Sequence, residues 1–87
     1  MKTNDVFKIY VGHRNFGRKE VQALCLGPSR TGKNWVIAYE NPHSEKVEVV
    51  TYNSSDTQVI HSSRKMVLSS TQMEHTSGLL KKAGLIK

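Results

Sequence analysis

The sequence contains little cysteine, few aromatic residues and no long apolar run. Its 87 residues include one cysteine, Cys25, which excludes an intramolecular disulfide and a multi-cysteine zinc site. No apolar run approaches the ~18 residues of a membrane-spanning helix, so we expect no membrane partner. Hydrophobic residues amount to 37 % of the chain, below the roughly 45 % of average domains. We therefore expect one domain with a small hydrophobic core. Such a domain has few side chains available to build a deep, water-excluding active site.

The lack of further cysteines also indicates the cellular compartment. Cys25 lies in the apolar run 21–26, where a buried and unreactive thiol is expected. The first apolar run, residues 6–11, is interrupted by Lys8 and lacks the pattern of a secretory signal. Together these features predict a reducing, cytoplasmic environment.

The net charge of +6 is distributed unevenly along the chain. Counting Lys, Arg, Asp and Glu, residues 1–35 carry +5, residues 36–60 carry −3, and residues 61–87 carry +4. This asymmetry predicts basic and acidic patches on different faces of a small domain, and basic patches favour polyanionic partners. A basic surface that only keeps the protein in solution is the alternative.

Five apolar runs have the length of β-strands and are bounded by turn residues. They cover residues 6–11, 20–26, 35–39, 46–52, and a broken fifth run over 58–61 and 65–68. The connections, including a polar loop over 12–19, are too short for crossover helices and predict antiparallel hairpins. About five short strands would leave two bare edges in a flat sheet, so we expect a small barrel over residues 1–68.

A short helix is predicted over residues 72–83, in a C-terminal segment, 69–87, of the same domain. Thr71 and Glu74 have the Thr-x-x-Glu spacing of a capping box at its start. Gly84, which follows two lysines and an alanine, is typical of the glycine that ends a helix. The predicted fold class is therefore mainly β, with a short C-terminal helix.

Motifs for catalysis are incomplete in this chain. Residues 27–34 fall one residue short of the phosphate-binding loop Gly-x-x-x-x-Gly-Lys-Ser/Thr. That loop requires a helix immediately after it, whereas the β-branched and aromatic run 35–39 follows here. The four histidines lack metal-ligand spacing, and no nucleophile motif is present. We predict no enzymatic activity, no metal and no cofactor.

Two basic, glycine-bearing segments, 13–19 and 27–34, are the candidate binding elements. The first combines cations with the ring of Phe16, a mixture that binds single-stranded nucleic acid by base stacking and phosphate contact. The predicted nucleic-acid-binding residues are Arg14, Phe16, Arg18, Lys19, Arg30, Lys33, Arg64 and Lys65. Two alternatives stay open. In the first alternative, Phe16 folds back to close the barrel end. In the second, the two loops lie at opposite ends of the second strand and do not converge on one patch.

The aromatic residues offer a further candidate element. Tyr10, Trp35, Tyr39 and Tyr52 fall on separate strands, so three of them could meet in an aromatic cage that holds a cation. Trp35 and Tyr39 also suit the core of a small domain, and we favour the core for both.

The order of the elements resembles that of small SH3-like barrels, including the KOW and Tudor types. The segments 21–27, 35–39 and 47–52 carry the resemblance, which covers about residues 6–68. It implies a small antiparallel SH3-like barrel that binds peptides or nucleic acids. The compactness of the chain is also similar to that of small bacteriophage accessory proteins, although the tail after Ser69 departs from a simple barrel.

These features together predict a non-enzymatic nucleic-acid-binding module that contacts phosphates through its basic loops. The ligand is DNA or RNA, and the protein is a monomer or a homodimer. The alternative is a protein-interaction module, a small accessory protein that engages a larger complex acting on nucleic acid. In that case the acidic segment 40–56, the aromatic surface or the apolar tail contacts the partner.

Overall fold

One sheet and one helix make up the structure, a computed structural model that describes residues 2–13, 15–52, 59–60 and 68–86. The strands are β1 (Val6–His13), β2 (Gly17–Pro28), β3 (Trp35–Glu40), β4 (Val47–Tyr52) and β5 (Val59–Ile60), and the helix is α1 (Ser70–Lys82). The strand order in the sheet is β4-β3-β2-β1-β5. The predicted mainly β class with a short C-terminal helix is confirmed.

The β1–β2 hairpin is longer than the sequence predicted. Its antiparallel pairing continues to His13 opposite Gly17, so most of the predicted loop 12–19 is strand. Gly17 has φ +72°, in the left-handed region that glycine adopts without steric cost, which allows the tight reversal before it. The prediction of a loop was wrong because the polar residues there mark an exposed hairpin end rather than an absence of strand.

β2, β3 and β4 continue the antiparallel meander. The register between β2 and β3 shifts between Cys25 and Gly27, and Gly27 has φ +138°. An extra residue of this kind bends a strand and increases its twist. The irregularity therefore contributes to the curvature of the sheet.

Alternate residues of the antiparallel strands form a buried inner face. Its core residues are Ile9, Val11, Ala23, Ile37, Tyr39, Val50 and Tyr52. The ring centroids of Phe7 on β1 and Tyr52 on β4 are 5.5 Å apart, whereas a flat sheet would separate these strands by three spacings, about 14 Å. The sheet therefore curls around its inner face.

The fifth strand differs from the prediction in length and direction. β5 covers two residues and pairs in parallel with residues 10–11 of β1, whereas an antiparallel strand over 58–61 was expected. Most of its predicted second piece, 65–68, lies outside the described residues. Within the described part of the chain, β4 and β5 are not paired, so the curled sheet is open there and closure of an SH3-like barrel is not shown.

The helix begins two residues earlier than predicted. Ser69 is the N-cap, because its Oγ accepts a hydrogen bond from the Gln72 amide and the Gln72 side chain accepts one from the Ser69 amide. The predicted box of Thr71 and Glu74 is therefore wrong. Both pairs fit the capping pattern, but the earlier one also packs the preceding Leu68 against the apolar residues beneath the helix.

The end of the helix agrees with the prediction. Gly84 has φ +77°, its amide donates to Lys81 O, and the Leu85 amide donates to Leu80 O. These two bonds form a Schellman motif, which satisfies carbonyls that the helix leaves without partners.

α1 covers one half of the outer face of the sheet, formed mainly by β3 and β4. Leu80 is fully buried in a cluster with Leu24, Ala38 and Val49. Burial of a leucine side chain contributes roughly 1.5–3 kcal/mol. The helix is thereby fixed on the outer face of the sheet.

Candidate functional site

The described cations of the predicted binding surface lie at opposite ends of the sheet. Arg18 and Lys19 stand at the start of β2, whereas Arg30 and Lys33 lie in the turn after its end. All four side chains are exposed. Outside the described residues lie Arg14, Arg64 and Lys65. The two basic loops therefore do not form one patch, as the second alternative from the sequence anticipated.

The β2–β3 turn is a closed hairpin loop. The Ser29 amide donates to Asn34 O at 2.8 Å, and the Gly32 amide donates to Ser29 O at 3.0 Å. The Ser29 Oγ accepts from the Asn34 amide at 3.2 Å. β3 follows directly, so the loop lacks the helix N-terminus on which a phosphate-binding loop depends. The similarity to that motif is confined to the sequence.

Phe16 and His43 form a ring stack at the other end of the sheet. The ring centroids are 6.4 Å apart, with the planes inclined at 20°. Phe16 lies in the β1–β2 turn and is 70 % exposed, so the alternative in which it folds back to close the barrel end is wrong. The structure thus presents an aromatic ring to solvent beside Arg18 and Lys19.

His43 is held by hydrogen bonds to two other parts of the chain. Its Nε2 donates to Val11 O on β1 at 3.0 Å, because a carbonyl oxygen only accepts. Its backbone amide donates to Asn41 Oδ1 at 2.8 Å. The ring that supports Phe16 is therefore positioned by both β1 and the β3–β4 turn.

A buried polar network adjoins the β3–β4 turn that carries His43. The Tyr39 hydroxyl donates to Glu48 Oε1 at 2.9 Å, and Asn41 Nδ2 lies 3.2 Å from each Glu48 carboxylate oxygen. Glu48 is buried. Desolvation, reinforced by the charge of Glu48 and the hydrogen bond to it, raises the pKa of Tyr39 well above its usual range. The network fixes the β3–β4 turn, and with it His43.

Arg18 and Lys19 point to opposite faces of β2, because successive side chains of a strand alternate. Arg18 is opposite Gly12 and Lys19 is opposite Val11. Cations therefore stand on both sides of the hairpin that carries Phe16. We call Phe16, His43, Arg18 and Lys19 the hairpin surface.

The aromatic residues do not form a cage. Tyr39 and Tyr52 are buried in the inner core, and Trp35 packs against the same cluster. The core assignment of Trp35 and Tyr39 is confirmed. Tyr10 points to the opposite side of the sheet and is 40 % exposed.

Within the described part of the chain, clefts lie at both ends of the helix. One, of about 570 Å³, lies between the β3–β4 turn and the end of α1, where Glu40 and Glu45 face Leu85 and Ile86. The other, of about 360 Å³, lies between the start of α1 and the sheet and has a mostly apolar floor. The residues that line the second cleft include Leu26, Val36, Val49, Leu68, Thr71 and His75.

Among the described residues, no three His, Cys, Asp or Glu side chains are grouped to hold a metal ion. No helix within the described ranges is long and apolar enough to cross a membrane.

His43 was not singled out from the sequence, and Tyr10 was considered there only as part of a cation-binding cage. The alternation of Val6, Lys8 and Tyr10 along β1 was a usable signal, since it places Tyr10 on the face opposite the core. No local signal marks His43, because its position beside Phe16 depends on the curl of the sheet.

No family model, no curated protein and no solved structure matches this chain. The functional assignment therefore depends on the residues and geometry described above.

Proposed function

We propose that this chain is a non-enzymatic nucleic-acid-binding module whose contact surface is the hairpin surface. The observation that carries the proposal is the exposed Phe16 ring, stacked on His43, with Arg18 and Lys19 directly after the turn. An aromatic ring beside cations fits a nucleotide, because the ring stacks on the base while the cations neutralise phosphates.

The charge of the hairpin supports the same partner. Residues 6–20 contain four Lys or Arg and one Glu, which gives a net charge of +3. Such a concentration of positive charge attracts a polyanion and releases its counterions on binding. The support of Phe16 by a fixed His43 also lowers the cost of ordering the ring when a base stacks on it.

The separation of the two basic loops limits the extent of the proposed contact surface. Arg30 and Lys33 lie at the far end of β2 and belong to a different surface. The proposed contact therefore involves one end of the domain, and it fits a short stretch of nucleic acid rather than a groove along the whole protein.

A salt titration with matched variants tests this proposal. Labelled single-stranded DNA, duplex DNA and RNA are titrated with the wild type, with Arg18→Ala/Lys19→Ala, and with the control Arg30→Ala/Lys33→Ala, over about 50–200 mM salt. For single strands, loss of two phosphate contacts is expected to reduce the slope of log K against log salt by about 1.4. Phe16→Ala is expected to weaken binding by about 5- to 150-fold, the range for one stacked base.

Two outcomes contradict the proposal. One is an absence of binding by the wild type even at the lowest salt concentration. The other is an equal loss of affinity in the Arg30→Ala/Lys33→Ala control, which would show that charge alone, and not the hairpin surface, determines binding.

A second candidate function is a protein-interaction module, and the apolar cleft beside α1 favours it. Leu26, Val36 and Val49 form an open apolar floor with Thr71 and His75 at the rim. Apolar floors with a few polar groups are typical of binding sites for ligands or for single apolar side chains of a partner. Binding there would depend weakly on salt, in contrast to binding at the hairpin surface.

A pair of exposed substitutions at the start of α1 tests this second function. Thr71→Arg places a long cation at the rim of the cleft, whereas Ser70→Arg adds the same charge one residue away. In a pull-down at high salt, the wild type and Ser70→Arg would retain a protein partner of the cleft. Thr71→Arg would not retain it. Equal retention by both variants would contradict a role for the cleft.

A further inference from the structure

The exposed large apolar side chains of the described residues are concentrated in one part of the molecule. They are Val6, 46 % exposed, Tyr10, 40 % exposed, and Phe16, 70 % exposed. Val6 and Tyr10 lie on β1, and Phe16 lies in the turn that follows it. The β1–β2 hairpin thus carries all three.

Val6 and Tyr10 share the outer face of the sheet. Both are even positions on β1, opposite in direction to Phe7, Ile9 and Val11 of the inner face. On β3 and β4 the outer face is covered by α1, which buries Ala38 and Val49. The outer face of β1 is outside that cover, so the Tyr10 ring remains accessible.

The residues around Tyr10 include groups that can contact a nucleotide, and the carboxylate opposite the ring, Glu20, pairs with Lys8 at 3.6 Å. The register places Glu20 opposite Tyr10, Gln22 opposite Lys8, and Gly12 opposite Arg18. Gly12, two residues along the same face, has no side chain to cover the ring from the side of the turn. Arg18, on the same face of β2, is within reach of a phosphate, and the Gln22 amide both donates and accepts hydrogen bonds.

We infer that the outer face of the β1–β2 hairpin, centred on Tyr10, is a second base-stacking site, and that the ligand of this protein is single-stranded nucleic acid. This inference rests on the proposed function and specifies its ligand. In a duplex, bases are stacked inside the helix and offer no free face, whereas unpaired bases stack on exposed aromatic rings.

The spacing of the two rings agrees with one continuous strand of nucleic acid. Tyr10 lies three residues before His13, where the turn begins. At ~3.3 Å per residue this is about 10 Å along β1, so the rings are far enough apart to contact different nucleotides. Arg18 lies between them, where the connecting phosphates would pass.

Substitution of Tyr10 tests the inference. Tyr10→Ala, Tyr10→Phe and the wild type are titrated with a single strand of about 12 nucleotides, as DNA and as RNA, and with the matching duplex. Tyr10→Ala is expected to weaken single-strand binding by about 5- to 150-fold without changing the salt slope, because the ring carries no charge. Tyr10→Phe retains the ring and is expected to bind like the wild type. Duplex affinity is expected to be the same for all three.

A photo-crosslink on the wild-type protein gives an independent readout. A single strand that contains a photoreactive pyrimidine is expected to form an adduct on the peptide that contains Tyr10, and a duplex is not. This measurement does not depend on the folding of a variant.

The outcomes separate the inference from the proposed function. If Tyr10→Ala binds single strands like the wild type while Phe16→Ala and Arg18→Ala/Lys19→Ala lose affinity, the inference is overturned and the proposed function stands. Equal affinity of the wild type for single strand and duplex also overturns the inference. If the wild type binds no nucleic acid even at the lowest salt concentration, both are overturned.

Discussion

The two halves of the outer face of this sheet differ in composition and in exposure. Under α1, the outer positions of β3 and β4 include Val36, Ala38, Val47 and Val49, which pack in the helix-covered cluster. On the β1–β2 hairpin the outer positions include Lys8, Tyr10, Glu20 and Gln22, which are exposed. We call these the covered half and the bare half.

The two kinds of strand can be told apart in the sequence. Strands that are apolar on both faces, such as β3 and β4, are covered on both sides, whereas a strand that alternates apolar and polar residues has one face in solvent. In β1 the inner positions are apolar, whereas the outer positions 6, 8 and 10 include the charged Lys8 and are exposed. An aromatic residue at a solvent position of such a strand is not needed for the core, and it becomes a candidate for binding.

The largest expected effect comes from weakening the packing of α1 on the covered half. Leu80→Ala is expected to lower the free energy of unfolding by about 2–5 kcal/mol, because it removes a fully buried side chain and leaves a cavity. Val6→Ala, in the bare half, is the control, and we expect a loss below about 1 kcal/mol because the side chain is already 46 % exposed. Urea unfolding measures both. Similar losses in the two variants would show that the halves are not energetically distinct.

A smaller effect is expected from the buried polar network of Tyr39, Asn41 and Glu48. Tyr39→Phe removes the donor to Glu48 Oε1 and is expected to lower the free energy of unfolding by about 1–3 kcal/mol. The pKa of Tyr39 is raised in the folded protein. Above pH about 10 the unfolded chain therefore releases a proton that the folded protein retains. Stability should then fall by about 1.4 kcal/mol per pH unit from this group.

Alkaline unfolding series isolate that contribution. Urea unfolding of the wild type and Tyr39→Phe is measured from about pH 9 to pH 11, which spans the ordinary tyrosine pKa. The difference between the two proteins is expected to shrink as the pH rises. Tyr10→Phe, which changes an exposed tyrosine, serves as the control and should follow the wild type. A constant difference for Tyr39→Phe would contradict the raised pKa.

The smallest effect is expected from the ion pair of the bare half. Lys8 Nζ lies 3.6 Å from Glu20 Oε1, and both side chains are largely exposed. A double-mutant cycle of Lys8→Met and Glu20→Gln is expected to give a coupling of less than about 1 kcal/mol, which high salt removes. A larger, salt-resistant coupling would show that this half is more strongly fixed than its exposure indicates.

Much of the fold could be predicted from the sequence because its signals are local. Four strands and the helix follow from apolar runs and turn residues, and Gly84 marked the end of the helix through its backbone requirement. The start of the helix was misplaced because two overlapping capping patterns compete there. The choice between them depends on where Leu68 packs.

The candidate site could be predicted only in part. The separation of Arg18 from Arg30 follows from strand direction alone, since they lie near opposite ends of β2. The stack of Phe16 on His43 could not be predicted, because it joins two turns that meet only when the sheet curls. The direction of β5 was equally out of reach, since two residues carry too little pattern to define a strand partner.

The position of Cys25 gives the protein a built-in reporter of its own opening. It is the single thiol of the chain, it is fully buried, and its backbone amide and carbonyl bond to Asp5 and Asn4 of the N-terminal segment. A thiol reagent can reach it only when the structure opens locally or globally. The rate of labelling in the native protein therefore measures how often the structure around Cys25 opens, without any added probe.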